Sequence, residues 1–267
     1  NLFLGGIGTI NVTGAITTGT GSVTDDGPGN IIFSGTNTYS GATNINNGIT
    51  NLGASNVFAN NSNLVLNGGT FKTGTSSGFS DTMGTLTLSS NSTFAFGSTS
   101  HTMAFTASNG VTWAGTLLTI DNWTGSGGSS GTAGKITVGT TSSGLSSGQL
   151  AKFRFTGYAP GAVQLSNGEV VPTPAPVITS ATTASSTYGT ASSYTITGSN
   201  TPTSYGATVL PTGMSVDTAT GVITVAATTA AGTYSITISA INGSGTGSTT
   251  LTYTVNAKAL TITGLTG

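Results

Sequence analysis

Short runs of alternating apolar and polar residues, separated by glycine or asparagine clusters, are the feature that most limits what this chain can fold into. Alternation places every second side chain on the same face of an extended strand. The glycine and asparagine clusters supply the left-handed backbone positions that tight turns require. No apolar period of 3.6 residues lies between the runs, so the pattern predicts short strands coiled into a solenoid. Clear examples are residues 7–13, 30–34, 63–66, 84–88 and 135–138.

The composition excludes several other classes of protein. A chain with 42 glycines in 267 residues has disorder as its competing interpretation, but a mean hydropathy of +0.18 and regularly spaced β-branched residues favour a folded β-protein. A net charge of −1 gives no long-range attraction for nucleic acid or an anionic membrane. The lack of cysteine removes disulfides and thiolate metal sites. No run approaches the ~20 apolar residues of a transmembrane helix.

A proline-rich stretch at residues 172–176 separates a part of the chain with short strand patterns from a part with longer alternating ones. Alternating prolines fix the dihedral φ and favour an extended, semi-rigid spacer. About seven strands in the ~80 residues that follow, 177–256, are typical of an Ig-like sandwich. The absence of cysteine and tryptophan from this part excludes an antibody-type domain. The longer alternating runs are residues 193–197, 221–225, 232–241 and 249–255.

Residues 257–267 begin a further alternating strand, whose large apolar residues are Leu260, Ile262 and Leu265. The chain offers this strand no evident partner, so two interpretations stay open. It is either the first strand of a following module or a donor strand that pairs with a neighbouring subunit. Upstream of it we predict three parts: a repeat region with its closing segment (1–171), the linker (172–176) and the sandwich (177–256).

Residues 30–72 resemble the autotransporter-associated, or passenger-associated, β-strand repeat. The elements that carry the resemblance are GTNTYSG at 35–41, TNI at 43–45 and LVLNGGT at 64–70. Residues 1–29 are similar to the end of a preceding copy, and residues 84–171 to the segment that often closes such regions. The resemblance implies a right-handed parallel β-helix in very large exported proteins.

The second part of the chain resembles an Ig-like family of large bacterial surface proteins. Its motifs are LPTGMSVD at 210–217, TGVI at 220–223 and GTYSITI at 232–238. The two resemblances imply tandem arrays of modules at a bacterial cell surface, and neither carries a catalytic motif or a cofactor. The predicted fold class is therefore all-β, a right-handed parallel β-helix followed by an Ig-like β-sandwich.

The charged residues are too few and too scattered to suggest an active site. Glycoside hydrolysis or polysaccharide cleavage needs paired carboxylates, or cations beside acids, and the chain has six acids, five Lys or Arg and one His. Asp25 and Asp26 are adjacent, but neighbours on a strand point to opposite faces. We expect them in a turn, capping backbone N–H groups, with calcium ligation as a weaker alternative. No catalytic residue, cofactor or metal is predicted.

Five other residues invite a functional interpretation beside a structural one. Lys152 and Arg154 share one face if residues 151–155 form a strand, which favours a solvated strand that protects a sheet edge over anion binding. Trp113 and Trp123 are candidate sugar-stacking platforms, although core packing is the commoner use of such rings. The isolated His101 has no acid or cysteine within five residues, so metal binding is a minor alternative.

The sequence therefore predicts a non-enzymatic, extracellular structural protein: a stalk, an adhesin shaft or a filament subunit that polymerises by β-strand addition. A carbohydrate-binding adhesive module is the main alternative, and a polysaccharide lyase comes third. The predicted partners are like subunits or further modules of the same chain, with surface glycans as the alternative ligand. Nucleic acid and a membrane-spanning segment are not expected.

Overall fold

The computed structural model describes residues 1–259 and divides the chain into two compact units, with the division between Pro174 and Ala175. Each unit has its own hydrophobic core. The proposed strand-exchange residues Leu260, Ile262 and Leu265 lie outside the described residues.

The first unit is a β-solenoid whose strands form three sheets. The first sheet contains, in spatial order, β1 (Leu2–Leu4), β3 (Val23–Asp25), β5 (Thr43–Ile45), β7 (Leu64–Asn67) and β10 (Leu86–Ser90). The second contains β2 (Thr9–Val12), β4 (Asn30–Phe33), β6 (Ile49–Leu52), β8 (Thr70–Lys72), β11 (Ser92–Ala95), β13 (Leu118–Asp121) and β15 (Phe153–Phe155). The third contains β9 (Asp81–Met83), β12 (His101–Phe105), β14 (Gly134–Val138), β17 (Glu169–Pro172) and β16 (Ala162–Gln164).

Each turn of the solenoid, or rung, pairs in parallel with the next, so side chains at equivalent positions stack. In the second sheet Thr50, Phe71 and Phe94 occupy one inward-facing column. The rings of Phe71 and Phe94 lie 5.0 Å apart between centroids and are fully buried. In-register columns of this kind let each rung bury its apolar side chains against its neighbours.

Side-chain ladders repeat this stacking on the outside. Asn46 donates to Asp26 at 3.1 Å, Asn67 donates to Asn46 at 3.1 Å, and Ser90 donates to Asn67 at 3.0 Å. At a buried corner, Asn37 accepts the Ile16 N–H and donates to the Val57 carbonyl, which joins three rungs. Because asparagine has both donors and an acceptor, one side chain can bond the rungs on either side of it.

Glycine is required at the tight corners. Gly48 has φ +57° and lies so close to the previous rung that a Cβ there would stand 2.3 Å from the Gly27 carbonyl oxygen. The rung below contributes a glycine at that contact as well, so the two backbones meet directly. A side chain at this corner would force neighbouring rungs apart.

The closing segment contains the single helix among residues 1–259, α1 (Ser147–Leu150). Ser146 and Gln149 form a capping box, and the Gln149 amide also donates to the carbonyls of Ser108 and Val111. The sequence patterns did not predict this helix, although Ser-x-x-Gln at 146–149 is its local signal. The final strands β17 and β16 pair antiparallel, which ends the parallel progression of the third sheet.

The second unit is a two-layer sandwich of seven strands. One sheet contains, in spatial order, β18 (Thr183–Thr187), β24 (Gly245–Asn256), β23 (Gly232–Asn242) and β20 (Ser204–Thr208), and the other contains β19 (Ser192–Thr195), β22 (Val222–Val225) and β21 (Met214–Val216). Ile223, Ile236 and Leu251 are fully buried between the layers. Outward rows of the four-stranded sheet carry hydroxyl groups, as in the row formed by Thr183, Thr252 and Ser235.

The predicted fold class is confirmed: the chain is an all-β protein with a parallel β-solenoid followed by an Ig-like sandwich. The predicted strands at 30–34, 63–66 and 232–241 correspond to β4, β7 and β23. Strand ends differ by a few residues where hydrogen bonding continues beyond the apolar alternation, most clearly in β24, which begins at Gly245 rather than at residue 249.

Candidate functional site

Of the two acids expected in a turn, only Asp26 lies outside a strand, immediately before the bend at residues 27–29. Asp25 is the last residue of β3 and is buried, because it continues the inward-facing column between Leu4 and Ile45. The buried Thr50 hydroxyl donates to its Oδ2 at 2.8 Å. Burial raises the pKa of Asp25, against the hydrogen bonds from Thr50 and the Gly27 N–H.

The two carboxylates do not converge on a metal site. Asp26 lies on the outside, where Asn46 donates to it at 3.1 Å, while Asp25 faces the interior. Among residues 1–259, no group of three or more His, Cys, Asp or Glu side chains could hold a metal ion. The arrangement in the described protein therefore gives Asp25 and Asp26 structural partners rather than a shared ligand.

Asp81 ties one rung to the next through its carboxylate. Its Oδ2 accepts the N–H groups of Val57 and Phe58, each at 2.9 Å, and its Oδ1 accepts the N–H of Thr82 at 2.8 Å. Burial raises the pKa of Asp81, and the three backbone donors oppose that rise. The carboxylate accepts hydrogen bonds from N–H groups that the loop leaves without backbone partners, so Asp81 has a structural role.

His101 is held in one neutral tautomer by its surroundings. Its Nδ1 lies 2.6 Å from the Thr99 carbonyl oxygen, which only accepts, so Nδ1 carries the proton. Its Nε2 then accepts from the Thr73 hydroxyl at 2.7 Å, and the Thr73 oxygen in turn accepts the Gly97 N–H at 2.8 Å. Burial lowers the pKa of His101. Because both ring nitrogens are engaged in these hydrogen bonds, neither offers a lone pair to a metal ion.

One cluster of charged groups forms that the sequence did not predict. The fully buried Glu169 accepts the Ser130 hydroxyl at Oε2 (2.6 Å) and the Gly131 N–H at Oε1 (2.7 Å). The Lys135 ammonium donates to the same Ser130 oxygen at 2.8 Å. Ser130 thus connects a buried acid to a cation and holds a glycine- and serine-rich loop over β17. Glu169 is 39 residues from Ser130 in sequence, so no local motif signals the contact.

Trp113 and Trp123 are buried, with 5 % and 6 % of their surfaces exposed. The Trp113 indole donates to the Leu86 carbonyl at 3.0 Å and packs on Phe153, and Trp123 packs edge-on against Phe155 and Tyr158. Neither ring presents an open face to a sugar. These contacts place both indole rings in the core of the closing segment.

Lys152 and Arg154 do not form a pair. Lys152 precedes β15 and its ammonium donates to the Trp113 carbonyl at 2.5 Å, while Arg154 is exposed in β15, the edge strand of the second sheet. An exposed arginine on an edge strand discourages pairing with another chain. The lysine instead satisfies a backbone carbonyl of the closing segment.

A groove of about 630 Å³ lies on the outer face of the third sheet of the solenoid. Its floor is the in-register row Thr82, Ala104 and Thr137, contributed by β9, β12 and β14. The loops that follow β12 and β14 form its walls, and Asn109 lies on its rim. No sequence motif pointed to this groove, because it depends on the register of three rungs.

Comparison with known families identifies the second unit. Residues 175–256 match the model of the family described as Putative Ig domain. The match agrees with the two-layer sandwich in that unit, so its Ig-like character is established. No protein in the curated set matches the chain. No helix among residues 1–259 is long and apolar enough to cross a membrane.

Two solved structures from Bacteroides fragilis show limited similarity to the chain. One is titled a putative alpha-galactosidase (28% identity) and the other a putative alpha-galactosidase/melibiase (26% identity). Each alignment covers 31% of this chain and 18% of the other, with a TM-score of 0.29. The chain therefore spans less than a fifth of those proteins, and similarity at this level carries no argument about fold or activity.

The neutral state of His101 predicts a specific pH dependence. The folded pKa is lower than the unfolded value of about 6.5, so above that value neither state binds the proton. As the pH falls below the unfolded pKa, the unfolded chain binds a proton on this histidine that the folded protein does not bind, so the free energy of unfolding decreases. Denaturant titrations at pH 8 and pH 5 should show a larger loss for the wild type than for His101→Gln. The stabilising protonation of Asp25 and Asp81 is common to both proteins and cancels. An equal loss would contradict a lowered pKa for His101 in the folded protein.

Ser130 and its neighbour offer a matched pair for testing the charged cluster. Ser130→Ala removes the donor to the fully buried Glu169, so we expect a loss of about 1–3 kcal/mol in the free energy of unfolding. Ser129→Ala, in the same exposed loop, removes a hydroxyl that bonds no group among residues 1–259 and should change stability by less than about 0.5 kcal/mol. Urea denaturation measures both, and equal values would show that the cluster does not hold the loop.

Proposed function

We propose that the chain is a non-enzymatic structural segment of a bacterial cell-surface protein, acting outside the cell as a stalk, adhesin shaft or filament subunit. On this proposal residues 1–171 are autotransporter-type β-strand repeats with their closing segment, residues 172–176 are a spacer, and the Ig-like unit continues an array of modules. The observation that carries the proposal is the rung-to-rung bonding of the solenoid. Parallel pairing continues through the second sheet from β2 to β15, and an outer ladder links Asp26, Asn46, Asn67 and Ser90.

The use made of the charged residues supports a structural role. Asp25, Asp81 and Glu169, three of the six acids, are buried, and each accepts hydrogen bonds that fix a loop or a neighbouring rung. Lys135 and Lys152 are also engaged with the protein itself. An enzyme keeps its reactive groups available to substrate, whereas these groups serve the fold.

A low surface charge suits a segment exposed to a variable medium. Charged residues make up 4% of the chain, so few of its interactions depend on ionic strength. Few Lys and Arg residues also leave few cleavage sites for trypsin-like proteases. Close rung packing limits the local unfolding that other proteases need.

The proposal is tested by displaying residues 1–259 on a bacterial host, between a membrane anchor and a terminal epitope. The packed backbone should protect the segment, so the epitope should remain antibody-accessible after proteinase K treatment. A scrambled sequence of the same length and composition, which should not fold, is the control and should be cut within minutes. Loss of the epitope at the same rate in both would argue against a stalk.

Polymerisation by strand addition is the finer form of the proposal. Among the strands of residues 1–259, β18 pairs only with β24, and its residues Thr183 and Ser185 are exposed. Parallel pairing places the backbone groups of alternate residues on opposite sides of a strand, so within residues 1–259 the outer side of β18 has donors and acceptors that no other strand pairs with. Such an edge accepts an added strand from another subunit, and residues 257–267 follow directly after β24.

Deleting residues 257–267 should abolish filaments and leave folded monomers, because the donor strand is removed while both cores remain. Negative-stain electron microscopy measures assembly, and circular dichroism checks the fold. A control variant, Thr261→Ser with Thr263→Ser, keeps the apolar residues of the segment and should assemble normally. Unchanged filaments after the deletion would refute strand addition and leave the segment as part of a following module.

A further inference from the structure

We propose that the groove on the third sheet of the solenoid binds a neutral oligosaccharide. Binding of a sugar would add an adhesive function to the proposed structural role. The two proposals are independent, because a structural segment needs no ligand. The proposed site differs from the tryptophan platforms that the sequence suggested, because those rings are buried. Its volume of about 630 Å³ lies within the ~300–1,000 Å³ typical of small-molecule sites.

The charge of the groove selects the class of ligand. Every residue that lines it is uncharged. An anionic ligand would lose hydration there without gaining a counter-charge, which is costly. The acid beside the floor, Glu169 next to Thr137, already accepts hydrogen bonds from Ser130 and Gly131. The nearest cation along β14, Lys135, already donates to Ser130. A neutral ligand does not lose the hydration of a charged group when it binds.

The polar groups of the groove match the hydroxyl groups of a sugar. Within residues 1–259, the side chains of Thr82, Asn109 and Thr137 have no hydrogen-bond partner, so their donors and acceptors are available to a ligand. An asparagine amide offers both donors and an acceptor, and each threonine hydroxyl acts in either role. Ala104 and Ala107 place methyl groups between them, which suits the apolar C–H faces of a pyranose ring.

The walls of the groove are fixed before any ligand arrives. Ser108, which is fully buried, donates its N–H to the Gly144 carbonyl at 2.7 Å, and its hydroxyl accepts the Leu86 N–H at 3.0 Å. Gln164 donates to the Val138 carbonyl at 2.6 Å and accepts the Leu145 N–H at 3.0 Å. These bonds join the two wall loops to each other and to the closing segment. Preorganisation of this kind lowers the entropic cost of binding.

The test is isothermal titration calorimetry of the full chain with tetrasaccharides of glucose, mannose, galactose and xylose, beside an anionic oligogalacturonate. At least one neutral tetrasaccharide should bind, and the anionic one should not. The variant Asn109→Ala with Thr137→Val should weaken that binding at least tenfold. The control variant Asn60→Ala with Thr87→Val changes an exposed asparagine and an outward, half-buried strand threonine away from the groove, and should bind like the wild type.

The outcomes separate this proposal from its alternatives. Binding of no neutral tetrasaccharide, binding of the anionic sugar alone, or equal affinity in both variants would overturn it. Thermal melting of each variant excludes unfolding as the cause of lost binding. A failure here leaves the protease-protection result of the display experiment unaffected, so the two proposals fail independently.

Discussion

Parallel hydrogen bonding between successive rungs is the interaction on which the rest of the solenoid depends. It fixes the register, and the register brings like positions together: Phe71 under Phe94 in the interior, Asn46 beside Asn67 outside. Since each rung contacts mainly its neighbours, stability is close to a sum of rung terms and interface terms. The Ig-like unit buries its apolar side chains differently, between two layers of antiparallel strands.

The unpaired backbone groups of a solenoid explain why a chain with so few charged residues buries several of them. A solenoid has corners and a closing segment where backbone groups lack partners, and a carboxylate can accept more than one N–H there, as Asp81 does. His101 serves the same purpose as a neutral donor and acceptor. The cost of burying these groups is offset by the backbone bonds they complete, so a titratable residue in this fold is a poor guide to catalysis.

The architecture could be predicted from the sequence because apolar alternation and turn residues are local signals, as at 30–34 and 232–241. The contacts that give residues their roles were not local. Asp25 was expected in a turn, but β3 extends through it and turns it inward. Glu169 meets Ser130 across 39 residues, and the groove needs the register of β9, β12 and β14. The burial of Trp113 and Trp123 depends on contacts with Phe153 and Phe155, which lie more than 30 residues further along the chain.

The glycine corners restrict how such a protein can change its length. Gly48 rests on Gly27, so a rung is compatible with its neighbour only when the corner of each arrives at the same place. Adding or removing a few residues inside a rung would displace that corner, whereas copying a whole rung would preserve it. The height of the solenoid is therefore adjustable in steps of one strand spacing, about 4.8 Å. Gene duplication in units of one rung would therefore lengthen the solenoid without disturbing its corners.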